Sequence, residues 1–270
     1  MHGLGNHFMV IDAINQSFQP ETAPIALWSD NSTGVGFDQM LVVEPATDKK
    51  ADFKYRIFNA DGSEVSQCGN GARCFARFVR KQKLTRKKII TVETNSGLLK
   101  LRMLDADNVR VDMGEPLFQP QQIPFTATQQ AAEYGLNING QMVRFSALSI
   151  GNPHIVIQVK DTETAAVDTL GPALESSECF PQQVNVGFMQ ILDRQNFRLR
   201  IYERGVGETR ACGSGACAAM VAGNRLGLLD QVVCAKLKGG DLDIEWQGPG
   251  SNVMKTGPTA MVYNGEIEYD

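Results

Sequence analysis

The chain has 270 residues, 43% of them apolar and 21% charged, with a formal net charge of −4. That length suits one large or two ordinary domains, and the composition is that of a soluble globular protein. The acidic balance offers no broad basic field and no apolar run reaches about 18 residues, so nucleic acid, an anionic membrane surface and a transmembrane helix are all unexpected.

The chain opens with MHGLGNHFMVID, which has no basic region followed by an apolar one. No signal peptide is expected, and the default compartment is the cytoplasm, with reduced thiols. HFMVID, QMLVVE, FKYRIFN, IITVET, LLKLRM and VRVDM then read as short strands, rich in β-branched and aromatic residues. Residues 72–84, ARCFARFVRKQKL, read as a helix with one apolar face. Residues 115–130, EPLFQPQQIPFTATQQ, are rich in Pro and Gln and read as a connecting or excursion segment. Residues 216–229, ACAAMVAGNRLGLL, read as a second helix, apolar nearly all round and therefore well buried.

The chain is written twice. RIFNADGSEVSQCGNGA (56–72) and RIYERGVGETRACGSGA (200–216) share Arg, Ile, an aromatic, Glu, Cys, two Gly and Ala in register, at an offset of 144. LGNHFMVI (4–11) echoes IGNPHIVI (150–157), VGFDQML (35–41) echoes VGFMQIL (186–192), and SGLLKL (96–101) echoes GGDLDI (239–244), in the same order. Four ordered echoes predict two domains of similar fold. Each is expected to be α+β, a curved and mostly antiparallel sheet wrapped around a central helix, with the active site in the cleft between the two. The expected domains are residues 1–115 with the C-terminal tail 258–270, and residues 116–257.

Six cysteines stand at positions 68, 74, 179, 212, 217 and 234, with no C-x-x-C pair and no nearby histidine, so no metal site is expected. The ordinary reading of a cysteine here is a small buried hydrophobe, which is kept for Cys74, Cys179, Cys217 and Cys234. Cys68 and Cys212 differ because each precedes a glycine-rich turn that opens a helix. Gly69, Gly71, Gly213 and Gly215 would permit unusual backbone angles and close approach by a ligand. A helix N-terminus offers N–H groups and partial positive charge, which can hold a carboxylate and lower a thiol pKa. Inverting a stereocentre needs a base on one face and an acid on the other, and two equivalent thiols could supply both.

HGLGN, GVGFDQ, FNADGSEVSQCGNGARC, GNPH, NVGF and YERGVGETRACGSGACA together resemble diaminopimelate epimerases over nearly the full chain. The resemblance implies a cofactor-independent interconversion of LL- and meso-diaminopimelate in lysine and peptidoglycan precursor synthesis. It implies Cys68 and Cys212 as the catalytic pair. Asn6, Gln39, Asn59, Asn152, Asn185, Glu203 and Arg204 match substrate-contacting positions. Gly69 with Asn70, and Gly213 with Ser214, match a carboxylate cradle. His154 and Glu203 match positions that tune the thiols, and Tyr263 matches a contact position of a homodimer. The chemistry is consistent: Arg204 can clamp a distal carboxylate, the asparagines can donate or accept, and Glu203 can face an ammonium. The chain departs from the family pattern at His7, where Asp is usual, and at Asn31-Ser32, where a basic pair is usual; it also begins at Met1, immediately before the HG motif.

Three other readings share some of these features. A proline or hydroxyproline racemase-like enzyme also pairs two cysteines, but a small apolar ring would not need Arg204 with three asparagines. A thiol redox or metal-binding protein would use the same cysteines differently, and an inactive anion-binding module would keep the cradle alone. Pyridoxal phosphate is not expected, since no lysine stands in a recognisable cofactor motif.

Overall fold

A computed structural model describes residues 1–65 and 69–268. Its backbone divides into two units, residues 1–111 with 257–270, and residues 112–256. In the first, β1 (His2–Gly3) and β2 (Asn6–Asp12) are followed by a short helix α1 (Ile25–Ser29), then β3 (Gln39–Pro45), β4 (Phe53–Asn59) and β5 (Glu64–Val65). Helix α2 (Gly69–Lys81) comes next, then β6 (Ile89–Thr94), β7 (Gly97–Met103) and β8 (Asn108–Asp112). The sheet is mixed: β2 runs parallel to β3 and β4 to β6, while β3–β4, β4–β5, β6–β7 and β7–β8 are antiparallel. The antiparallel pairs join strands adjacent in the chain through short connections of at most seven residues, and each parallel pair is joined by a longer excursion, one of which contains α2.

The second unit adds a hairpin, β9 (Tyr134–Ile138) and β10 (Gln141–Ser149), and then repeats the plan. It continues through β11 (Pro153–Gln158), α3 (Val167–Glu175), β12 (Asn185–Ile191), β13 (Asn196–Glu203), β14 (Gly207–Thr209), α4 (Gly213–Arg225), β15 (Val232–Leu237), β16 (Gly240–Glu245) and β17 (Met254–Pro258). Here β11 is parallel to β12 and β13 to β15, while β12–β13, β13–β14, β15–β16 and β16–β17 are antiparallel. The pairing pattern is that of the first unit, strand for strand.

Register refines the repeat. Ile57↔Val65 matches Ile201↔Thr209, both at an offset of 144, and Val92↔Leu99 matches Ala235↔Leu242, at 143. One echo fails. Phe8 pairs Gln39 in the first unit and His154 pairs Asn185 in the second, so Gln39 corresponds to Asn185 at an offset of 146. The likeness of VGFDQML to VGFMQIL, at 151, is therefore five residues out of structural register and reflects composition alone.

The shared Arg and Glu of the long echo have a structural task. Arg56 clamps Glu64 through Nε and Nη2 at 2.9 and 2.8 Å, and Arg200 clamps Glu208 the same way at 2.7 and 2.9 Å. Each bidentate pair ties the hairpin that leads to a cysteine. Hydrogen bonding to Arg200, opposed by partial burial, draws the Glu208 carboxyl down to about 2.

The motif glycines act by size. None of Gly71, Gly213 and Gly215 has a positive φ, so the freedom of backbone angle that they would permit is not used there. A methyl group on Gly71 would lie 3.1 Å from Leu41 and 3.3 Å from Phe8 and would overlap the Tyr55 hydroxyl; on Gly215 it would overlap Ile201. These glycines let each central helix lie close on its sheet, which is why α4 is buried from Ala216 through Gly223. The segment 115–130 also packs more closely than a connector: Ile123 is fully buried, and Phe125 stacks on Phe180 at 4.6 Å. No helix among the described residues is long and apolar enough to cross a membrane.

Candidate active site

In each unit the topology gathers polar residues at one end of the sheet. Asn6 and Gln39 begin the parallel strands β2 and β3, and Asn59 ends the antiparallel β4, so all three fall at the same end. In the second unit the matching positions are Asn152 just before β11, Asn185 at the start of β12 and Glu203 at the end of β13. Cys212 stands immediately before α4, in an extended conformation. Cys68 lies outside the described residues.

In the first unit the polar side chains hold one another. Asp38 accepts from the Asn6 amide at 3.0 Å and from the His7 backbone N–H at 2.7 Å. Gln39 donates to the Asn59 amide oxygen at 3.0 Å, and Asn59 donates to Ser63 Oγ at 3.1 Å. Asn70, nearly fully buried in the first turn of α2, accepts from Arg73 Nη1 at 3.1 Å. His7 replaces the usual acidic residue, yet its backbone N–H still serves the anchor.

The second unit is tied more tightly. His154 is buried, and burial, aided by the nearby Arg204 charge, drives its pKa down to about 3, so the ring is neutral. Its Nε2 lies 2.9 Å from Asn152 Oδ1; the amide oxygen accepts, so the ring proton sits on Nε2 and Asn152 keeps its N–H groups as donors. Asn185 donates to the Pro153 carbonyl at 2.8 Å and accepts from the Arg204 backbone N–H at 3.1 Å. Much of its bonding capacity thus fixes the loop carrying Arg204. Arg204 itself is exposed, with Nη1 donating to the Gln182 carbonyl at 3.0 Å. Tyr263, in the C-terminal tail of the first unit, is 60% exposed.

Cys212 is 5% exposed. Burial first, then the negative charge of Glu203 and the hydrogen bond its thiol donates to that carboxylate, push it well above the usual thiol range. The helix-mouth effect expected to lower the thiol is present as a backbone N–H from Gly215 and a contact to Ser214 Oγ at 3.6 Å, but it is the smaller influence. Burial raises the Glu203 carboxyl too, opposed by hydrogen bonds from Cys212 and Thr209. Without substrate Cys212 is therefore a thiol. The sign of the Glu203 effect can be checked by substitution. Glu203→Gln removes the repelling charge and offers an N–H to a thiolate, so the pH profile for alkylation of Cys212 should move to lower pH. An unmoved profile, or one moved upward, would contradict the pairing.

Several residues here escaped the sequence reading. Asp38 and Thr209 are anchors that only the strand register brings to their partners. Arg73 and Lys255 are charged yet fully buried. The one available signal for Lys255 is strand phase: Val253 and Lys255 are both fully buried, two residues apart.

The chain matches a family model described as diaminopimelate epimerase over residues 1–119 and 146–262. It is 55% identical, over 267 residues, to the diaminopimelate epimerase of Ectopseudomonas mendocina (strain ymp), covering 99% of this chain and 97% of that one. Among solved structures it resembles a probable proline racemase from Agrobacterium radiobacter K84, with a TM-score of 0.71 at 15% identity, covering 100% of this chain and 92% of that one. It also resembles a hydroxyproline epimerase from Agrobacterium vitis, with a TM-score of 0.66 at 16% identity, covering 95% and 87%. At those identities the two structures establish a shared α+β fold and nothing about substrate. Near-complete coverage by the family model and by the 55%-identical relative leads to one conclusion: the chain belongs to the diaminopimelate epimerase family.

Proposed function

We propose that the chain is a cofactor-independent isomerase that interconverts LL- and meso-diaminopimelate, in lysine and peptidoglycan precursor synthesis. The observation that carries this reading is the 55% identity to a diaminopimelate epimerase over nearly the whole of both chains. The chemistry uses two thiols. A thiolate takes the α-proton, breaking the C–H bond and forming S–H, and the electron pair passes into the carboxylate. The opposing thiol gives its proton to the other face of the carbon, inverting it and becoming a thiolate. Cys68 and Cys212 fill these roles and exchange them in the reverse direction. The raised Cys212 thiol supports its starting as the proton donor, with Cys68 as the base.

The reacting carboxylate would rest on the mouths of α2 and α4, at Gly69-Asn70 and Gly213-Ser214. Arg204, exposed and carried on a loop fixed by Asn185, would take the distal carboxylate. Asn6, Gln39, Asn59 and Asn152 would sort carboxylate from ammonium, and Glu203 would face an ammonium while tuning Cys212. His154 would act through Asn152, which it hydrogen-bonds. A homodimer with Tyr263 in its contact surface, and a cytoplasmic location, complete the reading; exposed Val262 beside exposed Tyr263 supports the contact. Incubating purified protein with LL-diaminopimelate, with no added cofactor, should produce the meso isomer. Conversion of proline with none of diaminopimelate would replace this reading with the racemase one.

A further inference from the structure

The β13–β14 hairpin carries a side-chain pair that its counterpart in the first unit lacks. Glu203 ends β13 and Thr209 ends β14. The ladder sets Ile201 opposite Thr209 and Glu203 opposite Gly207, so Ile201, Glu203 and Thr209 share one face of the hairpin. Ile201 lies against Gly215 in the first turn of α4, so that face is turned towards the helix that Cys212 precedes. Thr209 Oγ1 donates to Glu203 Oε1 at 2.5 Å, and the Cys212 thiol donates to the same carboxylate. The offset of 144 residues places Asn59 at the position of Glu203 and Val65 at that of Thr209. The half that has the acid has a hydroxyl beside it; the half that has the amide has valine. Asn59 brings its own N–H donors and accepts another from Gln39, so it has no need of a hydroxyl from that strand.

The acid does need one, because burial works against its charge. Two placements of one proton compete at this pair. A carboxylate beside a thiol leaves a proton donor at Cys212, whereas a carboxylic acid beside a thiolate does not. A hydroxyl donates more strongly to a carboxylate than to a neutral acid, so Thr209 favours the first placement. Ionisable groups on the surrounding elements are engaged elsewhere. Glu208 of β14 is held by Arg200 and Lys238, Glu175 of α3 accepts from the Gly205 backbone N–H, and Arg204 donates to the Gln182 carbonyl. Asp168 of α3 acts on Arg200, and Arg225 closes the far end of α4. On β15, Cys234 and Lys236 pair with Asn196 and Arg198, towards the opposite end of β13. Among the described residues, Cys212 is the ionisable group bonded to Glu203.

We propose that Thr209 is a positioning residue: its hydroxyl holds Glu203 as a carboxylate turned to Cys212, which keeps the proton of the pair on sulfur, where the reaction draws it. This rests on the reading of Cys212 as a proton donor to substrate. Thr209→Val removes the hydroxyl, keeps the size and installs the residue of the other half, so the hairpin should still fold. Thr209→Ser keeps the donor. Nuclear magnetic resonance of protein with isotope-labelled glutamate follows the Glu203 carboxyl, its signal identified by its loss in Glu203→Gln. In Thr209→Val the titration of that signal should move to higher pH by about one pH unit or more, and kcat/KM for diaminopimelate should fall by about tenfold or more. Thr209→Ser should restore both. The proposal is overturned if the titration in Thr209→Val stays where it is in the parent, if kcat/KM stays within about threefold of the parent, or if Thr209→Ser loses as much as Thr209→Val, which would make Thr209 a packing residue. The titration needs no substrate, so it tests the hydrogen bond independently of turnover. Failure of the parent to convert diaminopimelate would refute the proposed function itself, whereas an active parent with an unaffected Thr209→Val refutes only the role of Thr209.

Discussion

Cys212→Ala should lower the epimerisation rate by roughly 10²–10⁴-fold, the range for removing a positioned general acid or base. The fold should survive, because the substitution removes one sulfur atom from the start of a helix that is buried along most of its length. Cys68→Ala should have an effect of the same order, since the repeat gives the two cysteines equivalent positions before equivalent helices. Cys74 and Cys217 are fully buried inside α2 and α4 and provide the controls. Their alanine variants should cost about 1 kcal/mol of packing and leave turnover near that of the parent. Full turnover in either Cys68→Ala or Cys212→Ala would remove that residue from the chemistry. Losses of equal size in all four variants would point to packing in place of proton transfer.

Arg204→Met should lower kcat/KM for diaminopimelate, while exchange of the α-hydrogen of a simple amino acid without a distal carboxylate should change little. The geometry sets the size of the effect. Arg204 is exposed, and one guanidinium N–H already serves the Gln182 carbonyl, so the loss is that of charged hydrogen bonds and not of a buried ion pair. A loss of about 1.5–3 kcal/mol follows, roughly 10–150-fold in kcat/KM. Steady-state kinetics on the parent and the variant measure it. Unaltered diaminopimelate kinetics would make Arg204 a surface residue and leave the distal end of the substrate without its assigned partner.

Much of the architecture could be read in the sequence because it is written twice. The strands of the first half follow their β-branched and aromatic runs; FKYRIFN and IITVET match β4 and β6 residue for residue. The helices after the two cysteines were also legible, although each begins three residues earlier than its apolar pattern suggests, at Gly69 and Gly213. Glycine there weakens the local helix signal, while packing against the sheet stabilises the turn. Helix α3 was missed because Gly171 and Pro172 lie inside it, and both oppose helix locally. The β9–β10 hairpin carried an unread signal in Asn139-Gly140, whose positive φ angles of 52° and 84° suit a tight hairpin turn. At the site, Cys212, Asn152, Asn185 and Glu203 emerged from the repeat and the family resemblance together. Burial did not, and it determines the state of Cys212, the neutrality of His154 and the unusual setting of Lys255. A single sequence records which residue is present but not which neighbours remove it from water.

The central claim is that two different groups handle the proton on opposite faces of one carbon. Early product formation from LL-diaminopimelate in deuterium oxide tests it most directly. A thiol equilibrated with solvent delivers deuterium to the inverted carbon, while the proton taken from substrate stays on the other sulfur. The account therefore predicts meso product labelled at that carbon from the first turnovers, with the remaining LL substrate unlabelled. A single base returning its own proton would give the opposite pattern. Early product that keeps its original hydrogen, or substrate that gains deuterium without inversion before product appears, would contradict the two-thiol account.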